Sequence, residues 1–144
     1  MQFIRKVVNE FGALLHVSAS CEFEHPADGA MRVSEMEFSF AQGSMLVSAR
    51  DDDTIEVSEG TLTHAHRVDL TSVRPWSDAI CARGLAWIWP MTNQNEYFDG
   101  LQLQFYSDDG AATVQMLCEA SLLTLSVVNR LEWKPDINRA MPSV

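Results

Sequence analysis

Positive charge is scarce in this chain: ten Lys and Arg stand against twenty Asp and Glu in 144 residues, a formal net charge of -10. A surface of that sign repels phosphate backbones and anionic membranes, which argues against direct nucleic-acid binding and against membrane binding. Cysteine is scarce as well. Cys21, Cys81 and Cys118 are odd in number and far apart, so they do not form a secreted disulfide framework and read as buried free thiols in a reducing compartment. No apolar run approaches the length that spans a bilayer. The start, Met1-Gln2-Phe3-Ile4-Arg5-Lys6, lacks the apolar stretch of a secretory leader, so the expected location is cytoplasmic. There is no internal repeat, Gly-rich phosphate loop, Gly-x-Ser-x-Gly, His-Glu-x-x-His or Cys-x-x-Cys. The sequence therefore implies no cofactor, no metal and no catalytic group.

What is present is the composition of a folded domain, 47% hydrophobic against 21% charged. The patterning predicts one globular α+β domain over residues 1–134, with 135–144 as a C-terminal tail. Phe3, Ile4, Val7 and Val8 share one helical face, and Gly12 follows at a stopping position. From Ala13 to Phe23 the odd positions Leu15, Val17, Ala19, Cys21 and Phe23 alternate with polar residues, the period of a strand with one wet face. Met36, Phe38 and Phe40 alternate with Glu35, Glu37 and Ser39, and a turn at Ala41-Gln42-Gly43-Ser44 leads into residues 45–49, so a β-hairpin is expected, with a third strand at 54–57.

Residues 60–84 are weakly patterned and read as loop, with a short helix from Pro75 through Ile80. A second antiparallel block follows. It comprises residues 85–89, then Leu101, Leu103 and Phe105 in alternation, a turn at Asp108-Asp109-Gly110, and strands at 113–119 and 122–128. The expected architecture is mainly antiparallel sheet in meanders and hairpins, either strongly curved or partly closed, with one or two short helices.

Residues 87–100 are the densest candidate site. Trp87, Trp89 and Tyr97 offer rigid contact area, and Asn93, Gln94 and Asp99 offer hydrogen-bonding groups that fix orientation. The same residues also have a structural reading, in which Asn93 and Asp99 form turns and the aromatics fill the core. Asp51-Asp52-Asp53 with Glu56 lacks the spacing of a cation loop and reads as a solvated turn. His64 and His66 have the spacing of a metal or acid-base pair, but nothing nearby in sequence completes it.

Trp87, Met91, Asn93, Gln94, Tyr97, Asp99, Gly100, Gln102 and Phe105, preceded by Asp53-Thr54-Ile55, form a pattern that resembles an uncharacterised family of small bacterial proteins. The resemblance covers roughly residues 1 to 130 and implies a family rather than an activity. Asn95 and Glu96 stand where that pattern leads one to expect a Gln-Gly pair.

Small size, acidity, the lack of a catalytic motif and the family likeness together point to a non-catalytic interaction protein. The expected kind is an immunity-type protein that covers the active site of a basic partner toxin. The alternative is a small-ligand binding module or minor enzyme with a pocket near Trp87, Trp89 and Tyr97, using Asn93 and Asp99 as polar anchors. A homo-oligomer joined through a sheet face or edge is a third possibility.

Overall fold

The computed structural model describes residues 2–21, 32–73, 76–80, 85–107, 110–119 and 121–132. The amphipathic start forms α1 (Gln2–Glu10), which buries Val7 and rests Phe3, Ile4 and Val8 on the core. Gly12, at φ 77°, turns the chain out of the helix in a conformation that favours glycine.

Among the described residues ten strands follow in two antiparallel sheets. The first sheet has the order β5-β4-β3-β1-β6 and is built from β1 (Leu14–Cys21), β3 (Glu35–Phe40), β4 (Gly43–Ala49), β5 (Ile55–Glu59) and β6 (His66–Asp69). The second has the order β2-β10-β9-β8-β7, from β2 (Arg32–Val33), β7 (Leu85–Thr92), β8 (Phe98–Ser107), β9 (Gly110–Glu119) and β10 (Leu122–Glu132). The mainly antiparallel α+β expectation holds, but there are two open sheets, where one strongly curved or partly closed layer had been expected. The chain changes sheet at buried Ser34, between β2 and β3. There the Ser34 amide donates to the Ser20 carbonyl (2.9 Å) and the Ser34 carbonyl accepts from the Ala49 amide (2.9 Å). A short strand followed by such a crossing carries no hydrophobic period, which is why β2 was not predicted.

Both sheets feed one apolar core. Val17, Ala19, Met36, Phe38, Met45 and Val47 come from the first, and Leu101, Leu103, Val114, Met116 and Leu123 from the second. The short helix α2 (Trp76–Ala79) places the Trp76 indole in the centre, with Phe38 at 5.2 Å on one side and Phe105 at 6.2 Å on the other. Such edge-to-face contacts add to area burial and hold the two sheets in one relative position. The other helix, α1, lies against β5 and β7, an edge strand from each sheet. It is anchored by Phe11, whose ring lies so close to Gly43 that a Cβ there would sit 2.6 Å from it.

Three further departures from the expected pattern have local causes. A register shift between Leu14 and His16 puts both Leu14 and Val17 inside and leaves Leu15 54% exposed, so the simple alternation breaks at its first step. β6 lies within the stretch read as loop and was missed because all four of its residues are exposed. β7 continues past the expected end through Pro90, which an edge strand tolerates. Cys118 is a buried free thiol as expected. Phe23, Pro75, Cys81, Asp108, Asp109 and the tail at 135–144 lie outside the described residues, as does the Cys21 side chain. No helix among the described residues is long and apolar enough to cross a membrane.

The connection from β5 to β6 crosses the polar outer face of the first sheet as a strap over residues 60–65. It is fastened by two carboxylates. Glu35, only 3% exposed, accepts from the Ser20 hydroxyl (2.7 Å), the Thr63 amide and hydroxyl, and the His64 amide (3.0 Å). Glu37 accepts from the Leu62 amide at 2.9 Å. The strap also receives bonds on its carbonyls, from the Ser44 hydroxyl to Gly60 and from the Arg67 guanidinium to Leu62 and His64. Beneath it Leu46 is buried despite pointing outward.

Burial by itself would raise the Glu35 pKa, but the hydrogen bonds from Ser20, Thr63 and His64 outweigh it and hold the group below its ordinary value of 4.5. A carboxyl depressed in this way stabilises the fold fully above its unfolded value and loses that contribution as pH falls through the folded value. Glu35→Ala is expected to cost about 3 kcal/mol at neutral pH. In urea titrations, Glu35→Gln should flatten the loss of stability that the wild type shows as pH falls below 4.5. Gly43→Ala should lower stability by about 1–3 kcal/mol by pushing on the Phe11 ring, read as a lower denaturation midpoint with unchanged slope.

Candidate functional site

The turn joining β7 to β8 is organised by Asn93. Its amide and carbonyl bond Tyr97 and Glu96 across the turn (3.0 and 2.8 Å), and its Oδ1 accepts from the Asn95 and Tyr97 amides (2.8 and 3.2 Å). Its Nδ2 donates to Asp99 at 3.2 Å. Asn93 and Asp99 are thus tied to each other as turn formers. Gln94 and Tyr97 are exposed, Tyr97 by 58%. Glu96 adopts φ 67°, the left-handed conformation that glycine favours, at the position where the sequence pattern led to the expectation of a glycine.

Two more turns meet at the same end. The Asp51-Asp52-Asp53 turn between β4 and β5 docks on the β9–β10 turn. There the Ser121 amide donates to the Asp53 carboxylate (2.7 Å) and the Ser121 hydroxyl to the Asp51 carbonyl (3.4 Å). Asp53 and Ser121 have φ 63° and 61°, so each of the three turns carries one left-handed residue that is not glycine. Within the Asp51–Asp53 turn, hydrogen bonds from the Thr54 hydroxyl and amide hold the Asp52 carboxyl below the usual carboxylate range.

Asp51, Asp52, Asp53, Glu96, Asp99 and Glu119 therefore gather into an acidic pole. Arg50, which precedes Asp51 in the chain, is paired with Glu56 at 3.1 Å. Behind the pole, burial and then the charges of Asp53, Asp52 and Asp99 push the Cys118 thiol up to about 11, which makes it a poor nucleophile. Among the described residues no group of three His, Cys, Asp or Glu side chains could hold a metal ion, and His64 and His66 join none.

Beside the pole runs the outer face of the second sheet, opposite to the face that carries Leu101, Leu103 and Phe105. Its cross-strand rungs are Met91 with Gly100, Leu117 and Thr124; then Trp89 with Gln102, Gln115 and Ser126; then Trp87 with Gln104 and Thr113; then Tyr106 with Ala111. None of these residues carries a formal charge, in a chain where 21% do; Arg32, paired opposite Thr124, continues the first rung onto β2 at the edge of the sheet farthest from the indoles. Trp87 and Trp89 are 54% and 39% exposed, with ring centroids 6.0 Å apart and planes at 66°. The reading that puts the aromatics of residues 87–100 in the core is thus corrected for Trp87, Trp89 and Tyr97, since alternation along edge strand β7 turns both indoles outward; Phe98 does pack against the core, and Trp76 fills its centre. The amide of Gln102 donates to Gln115 at 2.8 Å, bracing the middle rung.

The outer face of the first sheet holds a chain of different character. The Ser18 hydroxyl lies 3.1 Å from His16 Nδ1, and His16 Nε2 lies 3.4 Å from Asp69, which also accepts from the Thr71 amide at 2.9 Å. The order is that of a base-activated nucleophile. The setting opposes it. Ser18 sits between Asp69 and Glu37 as cross-strand neighbours, so an oxyanion formed there would face two carboxylates, and the strand amides around it are engaged in the ladder. The chain of bonds braces an exposed surface.

A protein-family model described as a family of unknown function, DUF6334, matches residues 5–132. The chain belongs to that family. No curated protein and no solved structure matches the DUF6334 chain, so its candidate residues rest on its own geometry. The resemblance to an uncharacterised family is borne out by this membership. The acidic pole was only half visible in sequence, because its three turns are far apart in the chain and are brought together by the docking of Ser121 on the Asp51–Asp53 turn and by the β8–β9 ladder.

The left-handed Glu96 yields a test of the turn geometry. Glu96→Gly removes the Cβ conflict and is expected to raise stability by about 0.5–1 kcal/mol, seen as a higher thermal midpoint. A lower midpoint would mean that the turn does not hold Glu96 in that conformation.

Proposed function

We propose that this DUF6334 protein is a non-catalytic cytoplasmic binding protein that docks a basic protein partner, in the manner of an immunity protein covering a toxin. The observation that carries the reading is the juxtaposition of two exposed indoles, set on uncharged rungs of β7 and β8, with a pole of six carboxylates. Interfaces that form and release commonly have this anatomy, a centre depleted of charge and enriched in aromatics within a polar rim. The carboxylates give direction and speed to the encounter with a positively charged surface, and the indoles give contact area once it has formed. A partner that normally holds phosphate would present such a surface.

The test neutralises the rim and leaves the turns intact. Asp51→Asn, Glu96→Gln and Glu119→Gln are combined, because no hydrogen bond described above uses their carboxylates. Wild type and variant are used as bait against a lysate of the native host, and any captured partner is then purified for titration. The expected partner is basic, binds wild type with an affinity that falls steeply with added salt, and binds the triple variant at least tenfold more weakly. A partner that is acidic, or one whose affinity ignores both salt and the substitutions, overturns the proposal.

A further inference from the structure

We infer that the Trp87 and Trp89 rungs are an arginine-selective subsite, so that the basic partner engages this face through an exposed arginine in preference to lysine. The inference rests on the reading proposed above and names the chemistry at its centre. Trp87 and Trp89 lie on rungs two residues apart on one strand, their planes at 66° and their centroids 6.0 Å apart. One indole thus presents a face beside the edge of the other, in a corner open to solvent. A cation is drawn to an indole face by the ring quadrupole, and a planar guanidinium can lie flat on it in a way that a compact ammonium cannot.

The neighbours of the corner complete the fit. Gln102 stands across from Trp89 and Gln104 across from Trp87. The Gln102 amide nitrogen is engaged with Gln115, which directs its donor away and leaves its carbonyl oxygen as an acceptor among the described residues. A guanidinium stacked on an indole keeps its N–H groups in its own plane, parallel to the ring and available to just such acceptors, whereas the absence of a carboxylate from the corner among the described residues removes the feature that would favour lysine equally. The carboxylates lie at the pole, close enough to raise the local concentration of cations and too far along the strand to make the choice between them.

The experiment measures selectivity by calorimetry with two defined probes, a twelve-residue peptide of alternating Arg and Ser and its Lys and Ser counterpart of equal charge. Wild type is compared with a Trp87→Thr, Trp89→Thr variant, with Gln102→Leu as a second variant that keeps both indoles, and with cellohexaose as a neutral ligand. Circular dichroism and thermal midpoints confirm folding; both indoles are exposed, so folding is expected to survive.

The expected result is that wild type binds the Arg peptide about tenfold tighter than the Lys peptide. The tryptophan variant should bring that ratio close to one with Lys-peptide binding unchanged, and Gln102→Leu should reduce it in part. An Arg-to-Lys ratio that is near one in wild type, or that survives loss of both indoles, overturns the subsite while leaving salt-dependent binding of basic probes intact. Tighter binding of cellohexaose than of the Arg peptide overturns it in favour of a neutral-glycan face. Absence of salt-dependent binding of either peptide defeats the basic-partner reading itself and the subsite with it.

Discussion

The Glu35 carboxylate ties the strap to the β1–β3 ladder at the point where the chain changes sheet. It lies one residue after the point where the chain leaves the second sheet for the first, and it accepts from Ser20 on β1 and from Thr63 and His64 on the strap. Ser20 also receives the Ser34 amide on its carbonyl, so the sheet crossing and the strap close on the same pair of residues. A carboxylate can be buried only if its lone pairs are satisfied, and here the donors come from backbone that must pass over the sheet to supply them. That requirement fixes the path of residues 60–65 and delivers β6 to the free edge of β1. It also covers Leu46.

With the first sheet's outer face covered by the strap and braced by the His16–Asp69 chain, the second sheet's outer face is left as the broad open surface. Trp76 occupies the centre between Phe38 and Phe105 and Phe98 packs against the core from β8, while strand alternation on β7 sets Trp87 and Trp89 outward. The acidic pole is fixed separately, by turns from both sheets that dock through Asp53 and Ser121. Three left-handed residues in that small region are a local conformational expense that the docking contacts offset. A surface held this way enters an encounter already in shape, with little ordering left to do.

Much of the fold was legible where the hydrophobic period is clean. Met36, Phe38 and Phe40, and Leu101, Leu103 and Phe105, marked their faces correctly, and Gly12 marked the helix end. Legibility failed where structure is set by contacts distant in the chain. β6 shows no alternation because nothing covers its four residues, and β2 is two residues long. Leu15 was misassigned by one bulge. Glu35 and Glu37 both looked like solvated residues of a wet face, since alternation records which face a residue is on and not whether another segment will lie over it. Of the candidate site, the turn chemistry of Asn93 was readable from residue type alone. Whether Trp87 and Trp89 face the core or the solvent depended on which side of β7 the core lies, and the sequence does not say.

Pro90 in β7 acquires a further meaning once the two indoles beside it are known to be exposed. A strand that borders a sheet and displays large aromatics is a natural template for copies of itself to add, edge to edge, into stacked aggregates. Proline at such a position turns its ring, and the donor it lacks, toward the open side. An incoming strand would find a gap in the ladder and a ring in its way. The chain can therefore show adhesive side chains to the surroundings while the backbone beside them discourages polymerisation, which separates what this edge is able to grip from what it is able to grow.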